Sequence, residues 1–231
     1  MKIFDAPTTR SALPFDRLIP ALDTMFASGC EVPKRHVHEI AAPDGGRMTV
    51  LIMPAWQEGR YFGVKTINIA PGNGARGLPG LHASYMLYDA VTGVPLALID
   101  GDEITTRRTA AASALAASKL ARVDARPLLI VGAGRTARLL ADAYRAVLPI
   151  EHVTVWARDA RKANTLAAEL RSAGMDAQAA EALEPAVRCA DTVSCATLAT
   201  EPVVHGRWLA PGSHLDLIGS FTPAMREADD D

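Results

Sequence analysis

The sequence predicts an α/β protein in two parts, a β-rich α+β unit followed by a doubly wound parallel sheet. Three observations carry this. Residues 126–144, RPLLIVGAGRTARLLADAY, run from an apolar strand through a glycine pair into a helix-like pattern. From residue 127 onward, strand-like and helix-like segments alternate, as in a parallel sheet covered on both faces. Before residue 100, short apolar strands instead meet at Gly- and Pro-containing turns, the pattern of antiparallel hairpins.

Taken in order, LPFDRLIPALDTMFASG places Phe15, Leu18, Ile19, Leu22, Met25 and Phe26 at helical spacing, and Gly29 ends that helix. Strands are expected at 34–41 and 47–54 around PDGG, at 61–70, and at 82–89 and 94–100 around Thr92-Gly93. ITTRRTAAASALAASKLA, residues 104–121, predicts a long Ala-rich helix. The second part offers strands at 127–132, 152–157, near 175–178, 191–196 and 214–219, with helices near 134–147, 160–173 and 181–189. A boundary is expected between residues 1–121, which would hold a substrate, and residues 122–231.

The chain of 231 residues, 49% hydrophobic and 22% charged, fits one or two globular domains. A formal net charge of −2 gives no electrostatic case for nucleic acid or an anionic membrane. No apolar run approaches the roughly 20 residues that span a bilayer. Asp5 and Asp16 interrupt the N-terminus, which does not read as a secretory signal. Cys30, Cys189 and Cys195 lack CxxC spacing, so free thiols in a reducing cytoplasm are expected. The chain stops at READDD, just after a strand and loop, and is expected to be truncated there.

The segment Gly132-Ala133-Gly134-Arg135-Thr136-Ala137 has the form GxGxxA, with a strand before it and a helix after it. This is the dinucleotide fingerprint of a Rossmann-type sheet. Gly132 would make the turn and Gly134 would admit the pyrophosphate. Ala137 would let the helix sit close, with its N-terminus toward the phosphates. At the end of the next strand an NAD site usually has an acid for the ribose hydroxyls. Here Ala157 stands in its place and Arg158 follows, which suits a 2′-phosphate. NADP(H) is therefore favoured and NAD(H) remains possible. Asp159, one residue late, reads as a helix cap.

Arg107 and Arg108 lie in the first turns of a helix, where cations oppose the dipole unless an anion is near. Lys65 lies in a mostly apolar strand and Arg47 opens another. On composition alone each reads as a solvated charge ahead of a ligand-binding group. His36 and His38 form an HxH without a third ligand, so no metal is expected.

The pieces GRMTVLIMPAW, GVKTINIAPGN, GLPGLHASYMLYDAVTGVPLALIDGDEITTRRTAAASALAASKLAR, IVGAGRTARLL, TLATEPVV and LIGSFTPAMRE resemble the ornithine cyclodeaminase/mu-crystallin family along the whole chain. The resemblance implies a homodimer with a β-rich substrate and dimerisation domain and an NAD(P)-binding Rossmann domain. It implies that Arg47, Lys65 and Arg108 bind the substrate carboxylate, with Arg107 peripheral; Lys65 is then the candidate catalytic residue, a bound water being the other source of the nitrogen proton. Thr109 and Thr197 match positions that approach the cofactor. The cyclodeaminases' catalytic aspartate is replaced by Phe221, and an acid that partners the basic groups is replaced by Leu51. Asp216 is not accepted as a substitute. The GSFTPAMRE stretch looks like bacterial Δ1-pyrroline-2-carboxylate reductases. The resemblance thus implies reduction of a small cyclic imino acid; a cyclodeaminase or a non-catalytic NADPH-binding protein are the alternatives.

Overall fold

A computed structural model describes residues 1–42 and 45–231; Pro43 and Asp44 of the PDGG turn lie outside the described residues. The chain divides into two compact units, Met1–Arg107 and Arg108–Asp231.

The first unit is built on a six-stranded sheet. Its strands are β1 (Lys2–Phe4), β2 (His36–Ala41), β3 (Arg47–Gln57), β4 (Tyr61–Ile69), β5 (Leu81–Asp89) and β6 (Pro95–Asp100), in the order β1-β6-β5-β4-β3-β2. All neighbours are antiparallel except β1, which runs parallel to β6 with Ile3 beside Leu98. Two helices precede β2: α1 (Ala6–Ala12) and α2 (Phe15–Ser28). Asp5 caps α1 by accepting from the Thr8 amide at 2.9 Å. Neither β1 nor α1 is anticipated from the sequence, because three strand residues and a seven-residue helix are too short to show a period.

The expected Ala-rich helix is α3 (Gly101–Leu120). The division between units falls inside it rather than at residue 121, for a physical reason. Arg107 belongs to the first unit: it is buried, donates to the Leu13 carbonyl at 2.7 Å and lies 4.5 Å over the Phe15 ring. From Ala110 onward the helix belongs to the second unit, where Ala110, Ala111, Ala114 and Ala117 are fully buried. Small side chains permit that close approach.

The second unit carries the predicted parallel sheet. Its strands β7 (Pro127–Val131), β8 (His152–Trp156), β9 (Asp176–Ala179), β10 (Thr192–Cys195) and β11 (His214–Leu217) lie in the order β11-β10-β7-β8-β9. The order reverses at β7, which places a crevice at the carboxyl ends of β7 and β10. Helices α4 (Ala137–Arg145), α5 (Ala160–Ser172) and α6 (Leu183–Arg188) make the crossovers. Four of the five residues of β7 are buried, as expected for a strand covered on both faces. Trp156 and Trp208 pack against the core cluster of Leu129, Val131, Val187 and Val193. The three cysteines are unpaired, and no helix among the described residues is long and apolar enough to cross a membrane.

Candidate functional site

The glycine turn sits at the end of β7. Gly132 has φ +121°, a region open essentially to glycine alone, and its amide donates to the Trp156 carbonyl at 2.8 Å. A Cβ there would lie 2.6 Å from the Ala196 carbonyl oxygen, so the position is closed to a side chain on steric grounds as well. A Cβ at Gly134 would meet nothing within 4 Å, so the backbone at Gly134 is open to an incoming group. Ala137 is fully buried under the start of α4, and Thr136 at the helix cap makes no side-chain capping bond. The first amides of a helix have no partner within it, and this cradle of amides fits a pyrophosphate. Ala133, Arg135 and Thr136 complete the turn, and Arg135 is exposed.

Beyond β8, Ala157 is half-buried and Arg158 exposed. Asp159 caps α5 as expected, accepting from the Arg161 amide at 3.1 Å and from its guanidinium. That hydrogen bond holds the Asp159 carboxyl below the usual carboxylate range.

Thr197 follows β10 and is tied to a residue that the sequence reading missed. Glu227 is 1% exposed, and its Oε1 accepts from the Thr197 amide at 2.6 Å and the Thr197 hydroxyl at 2.7 Å. Its Oε2 accepts from the Gly219 amide at 2.8 Å. A second polar cluster surrounds Asp216, whose Oδ2 accepts from Ser113 of α3, from Ser194 at 3.0 Å and from the Tyr144 hydroxyl at 3.3 Å. Burial, with Asp216 nearby, pushes the Tyr144 phenol well above its ordinary pKa. Asp216 is thus engaged in fastening α3 to its own sheet. Phe221 is half-exposed in the loop after β11.

In the first unit the relevant residues share a face of the sheet. Residues directly opposed in an antiparallel pair project to the same side. Met53, Lys65, Tyr85 and Ile99 form one row across β3, β4, β5 and β6. Lys65 is 8% exposed, and its strand neighbours on that side are Gly63 and Ile67. The Tyr85 phenol lies over Gly63, where a Cβ would overlap it, and burial pushes this phenol up. Charge on such a face is costly, so Lys65 is not explained by packing.

Arg47 is exposed at the start of β3, opposite Ala41 and on the same face as Met53, the partner of Lys65. Leu51 is buried one position along that face, opposite Ile67. Arg35 precedes β2 and is exposed. Arg35, Met53 and Pro54 line one cavity of about 450 Å³.

The remaining sequence-predicted residues are Arg108, exposed at the start of the second unit, and the half-buried Thr109 beside it. His36 and His38 are exposed with their rings stacked 6.4 Å apart, and no group of three metal-binding side chains occurs among the described residues.

A Rossmann-type sheet with an open glycine turn, joined to a β-rich unit carrying a buried cation, defines a dinucleotide-binding protein of two parts. The chain belongs to the ornithine cyclodeaminase/mu-crystallin family, whose model matches residues 9–231. It is 45% identical over 204 residues to the Δ1-pyrroline-2-carboxylate reductase of Paracoccus denitrificans, covering 87% of this chain and 64% of that one. Two solved structures share the fold. An archaeal alanine dehydrogenase dimer with bound NAD has a TM-score of 0.89 at 29% identity, covering 99% of this chain and 70% of that one. The Δ1-pyrroline-2-carboxylate reductase of Thermococcus litoralis, in complex with NADH and L-proline, has a TM-score of 0.81 at 30% identity, covering 99% and 72%. The chain therefore spans about two thirds of the length of these relatives.

Proposed function

We propose that this protein catalyses NAD(P)H-dependent reduction of a cyclic imino acid, Δ1-pyrroline-2-carboxylate or its six-membered homologue, to L-proline or L-pipecolate. The observation that carries the reading is the buried Lys65 on the face of the first unit's sheet, the face that Arg47 shares. A cation held on a largely apolar face suits a small substrate with a carboxylate at one end, and Arg108 supplies a further cation. Gly132, Ala133, Gly134, Arg135, Thr136 and Ala137 hold the dinucleotide, with Thr109 and Thr197 beside it, and Arg158 favours NADP(H) through a 2′-phosphate. The P. denitrificans and T. litoralis reductases support the substrate class.

In this mechanism Arg47 and Arg108 fix the carboxylate and so orient the ring. Lys65 shares that contact and carries the proton delivered to the ring nitrogen. A protonated imine is already a strong electrophile, which is why Phe221 can stand where the cyclodeaminases have an acid. When bound, the reduced nicotinamide supplies the hydride that completes the amine. Positioning of this kind is worth roughly 7–11 kcal/mol. Two copies assemble through the first unit, where β2 is an exposed edge with Val37 and Ile40 uncovered.

The likeness to alanine dehydrogenase favours one second reading, amination of an open-chain 2-oxo acid. The test is coenzyme oxidation with the cyclic imine in ammonia-free buffer, with chiral analysis of the product. L-proline without added ammonia supports the reductase. Turnover only with a 2-oxo acid plus ammonia supports the second reading, and ammonia released from ornithine would restore the cyclodeaminase.

A further inference from the structure

We infer that Glu227 is a positioning residue for the dinucleotide, a role that rests on the cofactor site proposed above. Glu227 lies beyond every strand and touches no part of the glycine motif. Its carboxylate nevertheless joins the two loops that follow β10 and β11. One oxygen takes both the amide and the hydroxyl of Thr197, and the other takes the amide of Gly219. Its backbone carbonyl accepts from the amides of Val203 and Val204, which fixes the residue itself. Gly219 has no room for a side chain, since a Cβ would overlap the Thr197 carbonyl and Glu227 Oε1.

The chain of contacts then reaches the glycine turn. The Ala196 amide donates to the Val131 carbonyl at 2.8 Å, and the Ala196 carbonyl is the wall that a Cβ at Gly132 would strike, with Thr197 Cγ2 beside it at ordinary contact distance. The wall against which Gly132 turns is thus fixed from behind by one buried carboxylate with three donors. A buried side chain whose two oxygens accept from three donors is held in one orientation. Packing alone would be served equally well by an apolar side chain. A carboxylate here instead fixes two loop amides at the carboxyl end of the sheet, where a nucleotide binds in such folds.

The test compares Glu227→Gln, Thr197→Val and Thr197→Ser in the full chain, by NADPH and NADH binding and by steady-state kinetics. Gln keeps one acceptor but faces a donor with its amide group. Val removes one donor and keeps the methyl wall, and Ser restores the donor. The expected result is a rise of about tenfold in coenzyme Kd and KM for Glu227→Gln. A smaller rise is expected for Thr197→Val and recovery toward the parent for Thr197→Ser, with kcat at saturating coenzyme changed less than about threefold. A lowered Tm with coenzyme Kd and KM unchanged in both Glu227→Gln and Thr197→Val would overturn the inference, leaving Glu227 a structural residue. If Glu227→Gln does not fold, the Thr197 pair decides alone. Failure of the parent itself to bind either coenzyme would refute the cofactor site and this role with it, and the parent measurement tells that case apart.

Discussion

The two sheets of this protein place chemistry in different ways. In the parallel sheet the candidate groups sit at strand ends and are mostly backbone: the amides after Gly132, the left-handed glycine itself, the start of α4. In the antiparallel sheet they sit on a face and are side chains, brought together by register. A strand-end site is written in consecutive residues. A face site is written in residues far apart in sequence, and one slip of pairing exchanges its members.

This difference orders the expected effects of substitution. The largest is at the face site. Lys65→Met removes a buried cation and the proposed proton carrier, and should lower kcat/KM for the imine roughly 100- to 1000-fold, about 3–4 kcal/mol. Coenzyme Kd should stay within about twofold, since the two sites are proposed to be separable. A parallel loss of coenzyme binding would break the comparison.

At the strand end, Gly132→Ala should cost about 2 kcal/mol or more of stability, from the positive φ and the Ala196 carbonyl, seen as a lowered Tm. Coenzyme affinity should fall with it. Gly134→Ala, by contrast, meets open space, so its Tm should be little changed while coenzyme binding weakens.

A smaller effect distinguishes the two arginines of the hairpin. Arg47→Ala should raise the imine KM about tenfold, whereas Arg35→Ala, at an exposed residue before β2, should change it by less than about twofold. The reverse order would show that the resemblance misplaces the carboxylate contact. Smallest is Arg158→Ala, expected to shift the NADPH-to-NADH preference in kcat/KM by about fivefold toward NADH with little change in imine KM.

The parallel half was the more legible in the sequence. A continuous apolar run marked β7, strand–helix alternation marked the later strands, the glycine spacing marked the turn, and Asp159 was recognisable as a cap. Much of the antiparallel half was also legible as elements, because Thr92-Gly93 and PDGG mark its turns. What the elements did not reveal was which side chains meet. The β3–β4 pairing sets Lys65, eighteen or more positions of chain from the other proposed cations, opposite Met53, and spacing along the sequence does not show that. Arg47 was assigned by resemblance alone, because the start of a strand says nothing of what its side chain meets. Glu227 was silent for another reason. A single acid in a loop carries no periodicity, and only the fold shows that it is buried beneath Thr197. Arg107, which the resemblance leaves peripheral to the carboxylate, is held by Phe15 and the Leu13 carbonyl, contacts that its place in an arginine pair did not reveal.

The central claim is that hydride passes from a nicotinamide to the imine carbon of a small cyclic acid on this chain. Reduced coenzyme deuterated at the transferable position of the nicotinamide ring, supplied with Δ1-pyrroline-2-carboxylate, tests it directly by mass spectrometry of the product. The account predicts L-proline carrying the deuterium at C2. Proline without deuterium, formed from either face-labelled coenzyme, or no proline at all, would contradict it.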